Sequence, residues 1–481
     1  MNKKPNILWL TMDHLTFSHY RNNKGAKPIL PTWERLCAQG TSFNQCKSVH
    51  PLCLPARASM LTGLYTHKHG LLRNENGFVS KVAPPTQNLR DAGYRLGYFG
   101  KNHSGYEDLS EYGFEGYYPL SYGNPFHTPE YKAYLDRKGL PNPIFRHEWG
   151  LHEKFVPGGE YDITEVDYFN HYSCGVFKDE GPFHEADFLL DLSVNWMKEC
   201  AASDEPFVLR MDTWGPHQAY QVPPDFADTL YDENEILPIP GYDRASIDDK
   251  PPFVQRFLDH IRSRSGNMDS WKKWQKVLKR VYENYTYVDM RFGLLLDELE
   301  RLGLADNTLI LMTADHGDAV ASQGGMFDKC GDMAEELMDI PMVIAGPGIP
   351  KGAVVEGYVS NLDALPTIFD FAGVTPPYLM DGISLKQCAL EGKGRDVIMC
   401  EHYGHFDNRF VQRCVYKDDW KYIFTEKNME QLYHVKEDPY EQANLVFDHE
   451  ARRQEMRALL AQQIDIYDDS QLMLTEGFNL R

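Results

Sequence analysis

The chain has 481 residues, a net charge of −21 at pH 7 and a sequence pI near 5.3. That length exceeds a single core and predicts one large domain with a smaller one, while the acidity excludes nucleic acid and anionic membrane surfaces as partners. The 42% hydrophobic and 13% aromatic content is that of a folded enzyme, and an anionic substrate would need a local basic pocket.

At the N-terminus, "MNKKPNILWLTMDH" offers only "ILWL" before Asp13, too short for a signal-peptide core or a membrane span. The nine cysteines (37, 46, 53, 174, 200, 330, 388, 400 and 414) form no CxxC pair, so reduced thiols and a cytoplasmic location are expected. "NILWLT" predicts a buried strand of a parallel sheet ending at Asp13. "LPTWERLCAQG" reads as a helix closed by Gly40, and "PARASMLTG" as a helix starting near Pro55, just behind Cys53. "TQNLRDAGYRLGYFGKNH" gives a helix, a stop at Gly93, a strand, and then Lys101 and His103. Residues 105–190 are rich in Tyr, Gly, Pro and His with weak periodicity and read as an insertion that shapes a pocket.

"PFVLRMDTWGPH" and "NTLILMTADHGD" each predict a strand, running into His217 and into Asp315 with His316. Between them, Val281, Tyr285, Val288, Phe292, Leu295, Leu299 and Leu302 alternate at steps of four and three, one apolar helix face. "DIPMVIAGPG" adds a further short strand. The whole predicts an α/β catalytic domain over 1–379, a large mostly parallel sheet sandwiched by helices. Residues 380–481 form a smaller α+β subdomain, where "RFVQRCVYKDDWKYIFTE" gives two strands of an antiparallel sheet and "HEARRQEMRALLAQQIDIY" a helix packed on it. The walls around "YFNHYSCGVF" and "EHYGHFDNRF" are dense in aromatic, His and Arg residues, as pocket walls are.

In open α/β sheets ligands gather at the carboxyl ends of strands, and Asp13, Lys101, His217, Asp315 and His316 all follow predicted strands. Two carboxylates and an imidazole there could hold a divalent cation. Lys101, His103, His217, Lys329 and Arg57 are candidate donors to a tetrahedral anion whose non-bridging oxygens need neutralising. A plain thiolate at Cys53 would match such a hard site poorly; an oxygen nucleophile would suit it better.

"CLPAR" followed by "ASMLTG" resembles the type I sulfatase signature, Cys-x-Pro-x-Arg leading into Thr-Gly. "NILWLTMD", "GYFGKNH", "GPH", "TADHGD…GGMFDK" and "DWKYI…QLYHVKEDPYEQANL" resemble further family segments, from residue 5 to about 446. The resemblance implies an alkaline phosphatase-like fold and hydrolysis of a sulfate ester of a small molecule or sugar. It implies that a formylglycine-generating maturation enzyme oxidises Cys53 to an aldehyde. Hydrated to a diol, that residue attacks sulfur with one metal-held hydroxyl and expels sulfate with the other.

By the same resemblance Asp13, Asp315, His316 and residue 53 bind one divalent cation. Calcium is expected first, with manganese, magnesium and zinc as other candidates. Arg57 supports the diol, Lys101 and Lys329 hold sulfate oxygens, His217 protonates the leaving oxygen, and His103 assists breakdown of the sulfated diol. His14 stands where the family usually has a second Asp or an amide, and is read as a nitrogen ligand. A phosphonate monoester or phosphodiester hydrolase could use the same groups. A silent binding protein would be expected to have lost some of Lys101, His217, Asp315 or Lys329, and this chain has all four.

Overall fold

The computed structural model describes residues 3–75, 79–119, 124–150, 164–170, 173–203, 205–243, 247–262, 268, 270–405 and 408–469. The chain first lays down β1 (Asn6–Met12), β2 (Thr41–Lys47), β3 (Arg95–Gly100) and β4 (Phe114–Tyr117). Next come β5 (Phe145–Gly150), β6 (Thr164–Val166), β7 (Ser173–Phe177), β8 (Phe207–Asp212) and β9 (Tyr220–Val222). β10 (Thr308–Ala314), β11 (Met342–Ala345) and β12 (Ala353–Ser360) follow the longest helix, Trp271–Arg301. Last are β13 (Ile398–His402), β14 (Gln412–Lys417), β15 (Trp420–Thr425) and β16 (Gln431–His434).

Eight strands form the main sheet in the order β12-β2-β11-β10-β1-β8-β3-β4, parallel except for β11. Every residue of β1 and β10 is buried, which explains their unbroken apolar runs: helices cover both faces of the sheet. Truncating such a residue, Leu10 or Leu311, to Ala would cost ~2–5 kcal/mol. The helix Trp271–Arg301 packs on Pro31–Gln39 and on Glu185–Ser203. Gly40 caps Pro31–Gln39, as the sequence predicts.

Three details differ from the sequence reading. The short strand β11 runs antiparallel to both neighbours. The helix behind Cys53 starts at Cys53 itself, two residues before the expected start. Pro55 is tolerated there because first-turn N–H groups have no helical acceptor to lose. Within residues 105–190, β4 extends the main sheet beside β3, while β5, β6 and β7 join β9 in a separate four-stranded sheet ordered β6-β5-β7-β9. Residues 120–123, 151–163 and 171–172 of that stretch, and 406–407 of "EHYGHFDNRF", lie outside the described residues.

The antiparallel sheet β13-β14-β15-β16 alternates its faces. Met399, Val415, Tyr422 and Leu432 pack on Met456, Leu460 and Ile464 of the helix Glu450–Tyr467. Ile398, Cys400, Cys414, Tyr416 and Tyr433 face Met333, Met338 and Tyr358 of the main body. The turn between β14 and β15 places Asp418 and Asp419 at φ +48° and +64°, the left-handed pair that a two-residue hairpin turn needs. No helix among the described residues is long and apolar enough to cross a membrane, and all nine cysteines are free of disulfides.

Candidate active site

The central strands β10, β1, β8 and β3 are consecutive and parallel, so their carboxyl ends share one edge. The register pairs Met12 with Ala314, Thr11 with Asp212, and Gly100 with Asp212. Asp212 and the residues next after the other three strands are therefore neighbours: Asp13, Lys101, Asp212 and Asp315 meet at that edge, all essentially buried. Gly100 makes the approach possible. Its φ is +125°, and a Cβ there would stand 1.8 Å from the Asp212 carbonyl oxygen. Lys101 N–H then donates to that same oxygen at 2.9 Å.

The helix Cys53–Thr62 brings Cys53 and, one turn on, Arg57 against this edge. Arg57 is fully buried and divides its guanidinium among the three carboxylates. Nε donates to Asp315 Oδ2 at 2.8 Å and Nη1 to Asp212 Oδ2 at 2.8 Å, while Nη2 stands 3.5 Å from Asp13 Oδ1. Nη1 also donates to the Lys101 carbonyl at 2.9 Å, so that one arginine links the ends of four strands to one helix. Asp212 is held in turn by Tyr98 Oη at 2.7 Å and by Arg210.

Cys53 Sγ lies 3.0 Å from His316 Nε2 and 3.9 Å from Lys101 Nζ, and the Lys101 ammonium is ion-paired to Asp13. Burial opposes a thiolate, but Lys101, Lys329 and His316 outweigh it and bring Cys53 down to about 6. Burial likewise opposes charge on His316, yet Cys53 and Asp315 bring it up to about 9. His316 Nδ1 donates to the Gly317 carbonyl at 2.7 Å, which turns Nε2 inward. Asp13, Cys53, Asp315 and His316 each present a ligand atom, all within 4.8 Å of one another. Asp13 Oδ1 has no hydrogen-bond partner among the described residues.

Beside this set stand His217 and Lys329. His217 Nδ1 donates to the Gln218 carbonyl at 2.7 Å, and Lys329 Nζ donates to His217 Nε2 at 3.1 Å. Burial and then the Lys329 charge hold His217 well below the usual imidazole range. Lys329 is also 2.6 Å from Asp328. His103, two residues past Lys101, is held neutral by burial and by the Lys101 and Arg57 charges.

The backbone of His14, at φ +71°, donates N–H to Asp315 Oδ1 at 3.0 Å. Its ring stands 4.7 Å from the His316 ring and 4.5 Å from the His217 ring between centroids, with Nε2 3.5 Å from Asp328 Oδ1, and it forms with His217 and Asp328 a second group of ligand-like spacing. Neither ring nitrogen has a hydrogen-bond partner among the described residues. Burial, then Lys329, keeps this imidazole neutral as well.

A small cavity shares Asp13, Lys101 and His217 with the cluster. Phe169 and Phe177, from the stretch the sequence marked as a pocket wall, line it. Glu185, at the start of the helix Glu185–Ser203, accepts the Gly215 N–H at 2.7 Å, and burial pushes its carboxyl up to about 8. From the C-terminal wall, His405 is close enough to feel the Asp328 and Lys329 charges.

The fold thus gathers Asp13, Cys53, Arg57, Lys101, His103, His217, Asp315, His316 and Lys329, with the His14 ring beside rather than inside the candidate ligand set. Asp212, Asp328 and Glu185 escape the sequence reading. Asp212 carried a usable signal, an Asp closing an apolar strand just as Asp13 does. Glu185 carried none, since only the fold brings that helix start to the cavity. A further buried set, His67, Glu401 and Asp469, has ligand-like spacing too. There Arg413 already supplies the cation, 3.5 Å from Glu401 and bonded to Asp469 at 2.5 Å.

The sequence matches the family model described as Sulfatase over residues 5–374, and that of the N-sulphoglucosamine sulphohydrolase C-terminal region over 323–469. It is similar to the choline-sulfatase of Rhizobium meliloti (strain 1021), 29% identical over 455 residues, covering 92% of this chain and 82% of that protein. It is also similar to the N-acetylglucosamine-6-O-sulfatase of Bacteroides thetaiotaomicron, 24% identical over 97% of this chain and 88% of that protein. In fold it is similar to the phosphonate monoester hydrolase of Agrobacterium radiobacter, with a TM-score of 0.76, 21% identity and 96% of each chain covered. A protein solved with its substrate D-glucosamine-2-N,6-O-disulfate superposes with a TM-score of 0.69 at 21% identity, covering 97% of this chain and 99% of that one. A cysteine-led helix seated on a carboxylate- and lysine-lined sheet edge, within a match over most of the chain, makes this protein a member of the sulfatase family, a sulfuric ester hydrolase.

Proposed function

We propose that residue 53, oxidised from cysteine to formylglycine, is the nucleophile of this sulfatase and works beside one divalent cation. One observation carries the reading: Cys53 Sγ stands in a single buried set with Asp13, Asp315 and His316, under the Lys101 ammonium. The donor set fits a cation, because Asp13 Oδ1 is buried with no hydrogen-bond partner among the described residues and His316 Nε2 is turned inward. Asp13, Asp315, His316 and residue 53 would hold it. Carboxylates favour calcium, and the imidazole opens the set to manganese, magnesium and zinc. When bound, the cation would draw charge from the sulfate oxygens and acidify the residue-53 hydroxyl.

The chain's own groups do the rest. Lys101 and Lys329 meet the charge on the non-bridging oxygens in a buried site. His217 Nε2 relays to the leaving oxygen the proton that it draws from the Lys329 ammonium across their 3.1 Å contact. Arg57 fixes Asp13, Asp212 and Asp315 at once, so the ligand set is held before substrate arrives. His103 takes the proton whose loss lets sulfate depart. The His14 ring, beside His217 and Asp328, is assigned to the substrate's sulfate end. A metal preference altered by His14→Asp would make it a ligand instead.

Relatives are named for choline, aryl and N-acetylglucosamine esters, which supports a sulfated small alcohol or sugar as the substrate class. The test is to co-express the chain with a formylglycine-generating enzyme and to follow sulfate release together with the mass of the residue-53 peptide. An aldehyde mass that rises with activity is expected; full activity with an intact thiol would defeat the mechanism. An aryl phosphonate monoester assayed in parallel, if cleaved faster than the aryl sulfate, would move the reading to phosphonate hydrolysis.

A further inference from the structure

The cavity beside the sulfate end carries a second chemistry that sulfate does not use. Four of its lining residues are aromatic: Phe126, Phe169, Phe177 and Trp214. The Phe126 ring stands 5.0 Å from Phe169 and 6.2 Å from Phe177 between centroids, so three rings make one wall. Four other lining residues each carry a buried oxygen with no hydrogen-bond partner among the described residues: Glu185 Oε2, Gln218 Oε1, Gln221 Oε1 and Asn284 Oδ1. These residues are no more than 4% exposed. The Asn284 orientation is fixed, since its Nδ2 donates to the Gln221 carbonyl at 3.0 Å and a carbonyl can only accept.

Buried acceptors without donors are costly, and native interiors hold few of them. Four around one cavity, facing aromatic rings whose faces are also negative, describe a place for positive charge. Lys101 is the one Lys or Arg among the described lining residues, and Asp13 already pairs with it. A second sulfate or a carboxylate on the substrate would therefore meet no free counter-cation among the described lining residues, in a chain of net charge −21. An ammonium would. It is also the partner that would keep the Glu185 carboxyl ionised against its burial.

We propose that this cavity is the leaving-group site and that it selects sulfate esters of alcohols bearing an alkylammonium group. The proposal rests on the sulfatase reading above and specifies its substrate. Phe126, Phe169, Phe177 and Trp214 receive the alkyl groups around the nitrogen, and Glu185, Gln218, Gln221 and Asn284 receive its charge. A primary ammonium would fill the oxygens with N–H donors; a quaternary one would set its methyl groups on the rings. Both present the same charge.

The test compares kcat/KM of the matured holoenzyme for 2-aminoethyl sulfate, choline O-sulfate, the neutral isostere 3,3-dimethylbutyl sulfate and glucose 6-sulfate. At least one cationic ester should exceed both neutral esters by about tenfold or more. Glu185→Gln should cut the ratio of cationic ester to isostere by about tenfold, since it keeps the shape and the Gly215 contact and removes the charge. A neutral ester that equals or exceeds both cationic ones would overturn the proposal. Binding is read separately, by calorimetry of choline, 2-aminoethanol and 3,3-dimethylbutan-1-ol on the Cys53→Ala protein, where the preferred cationic alcohol should bind about tenfold tighter than the neutral one. Cation-selective binding with no sulfate release from any ester by the matured enzyme would keep the cavity assignment and sink the sulfatase reading. Sulfate release without cation preference in either assay would do the reverse.

Discussion

The two ends of the site are built from the same materials and treated oppositely by folding. At the sulfate end, Asp13, Asp212 and Asp315 all face Arg57, and Lys101 faces Asp13. At the proposed leaving-group end, Glu185, Gln218, Gln221 and Asn284 each leave an oxygen unanswered among the described residues, at comparable burial. Burial alone therefore does not distinguish a reactive site from a structural knot. Folding pairs the charges that must hold still, and among the described residues it leaves acceptor oxygens open where we propose that a cation binds. The set of His67, Glu401 and Asp469 makes the same point from the other side: its spacing suits a metal, but Arg413 completes it.

The sharpest way to break this comparison is at residue 53. Cys53→Ala should lower sulfate release by roughly 10⁴-fold or more, because a lost nucleophile is not replaced by the remaining groups. Its melting curve should stay close to that of the parent, since what is removed among the described residues is the sulfur's contact with His316 at 3.0 Å and with Lys101 at 3.9 Å. Substantial residual turnover would show that another group attacks.

Arg57→Ala comes next. Removing one partner of a buried charge cluster typically costs ~3–5 kcal/mol, here borne chiefly by Asp315, since Lys101 still pairs with Asp13 and Arg210 with Asp212. Denaturant unfolding should show that loss, with sulfate release falling alongside. A variant that unfolds like the parent would mean that the carboxylates find another cation.

Lys101→Ala and Lys329→Ala should each reduce kcat/KM by about a hundred- to a thousandfold, the usual effect of losing one fixed donor to transition-state charge. Lys101 should also alter metal content, because its removal frees Asp13. Lys329 should leave metal content unchanged. If the two variants behave identically, the division of labour between them is wrong.

The smallest effect belongs to the leaving-group end and appears as a slope. Burial raises the Glu185 carboxyl from 4.5 to about 8, so between those values the folded chain keeps a proton that the unfolded chain has released. Folding stability from this group is therefore lost as pH rises through that window, by up to ~1.4 kcal/mol per pH unit. Glu185→Gln cannot ionise and should flatten the pH dependence of unfolding between about 5 and 8 relative to the parent. Parallel profiles for the two proteins would show that Glu185 ionises freely in the empty cavity. It would then have no need of a ligand's charge.

Much of this was legible in the chain. β1, β8 and β10 announced themselves as short apolar runs closed by a polar residue, because strands buried on both faces have no polar positions to alternate. Asp13, His217, Asp315 and His316 could be placed at their ends for the same reason. The Cys53–Pro55–Arg57 spacing pointed to a helix start, though Pro55 pulled the expected boundary two residues too far. Asp212 was overlooked although it ends a strand in the same way, since nothing local says that an arginine from another segment will reach it. β11 looked like its neighbours because its residues carry no record of direction.

What the sequence determined by itself was which side chains could react and which strand ends would carry them, since both follow from residue type and local period. What the tertiary structure alone decided was adjacency. The order β10-β1-β8-β3 lines up four strand ends drawn from residues 12 to 314, and the Cys53 helix then crosses that edge. The His14 ring could be placed only this way: its position in the chain put it beside a ligand, but its backbone at φ +71° carries the imidazole to His217 and Asp328. The cavity depends still more on the fold. Its aromatic wall and its four unanswered oxygens come from segments as far apart as Phe126 and Asn284, and whether an oxygen lacks a partner is a property of the space around it, which no residue carries in its own letter.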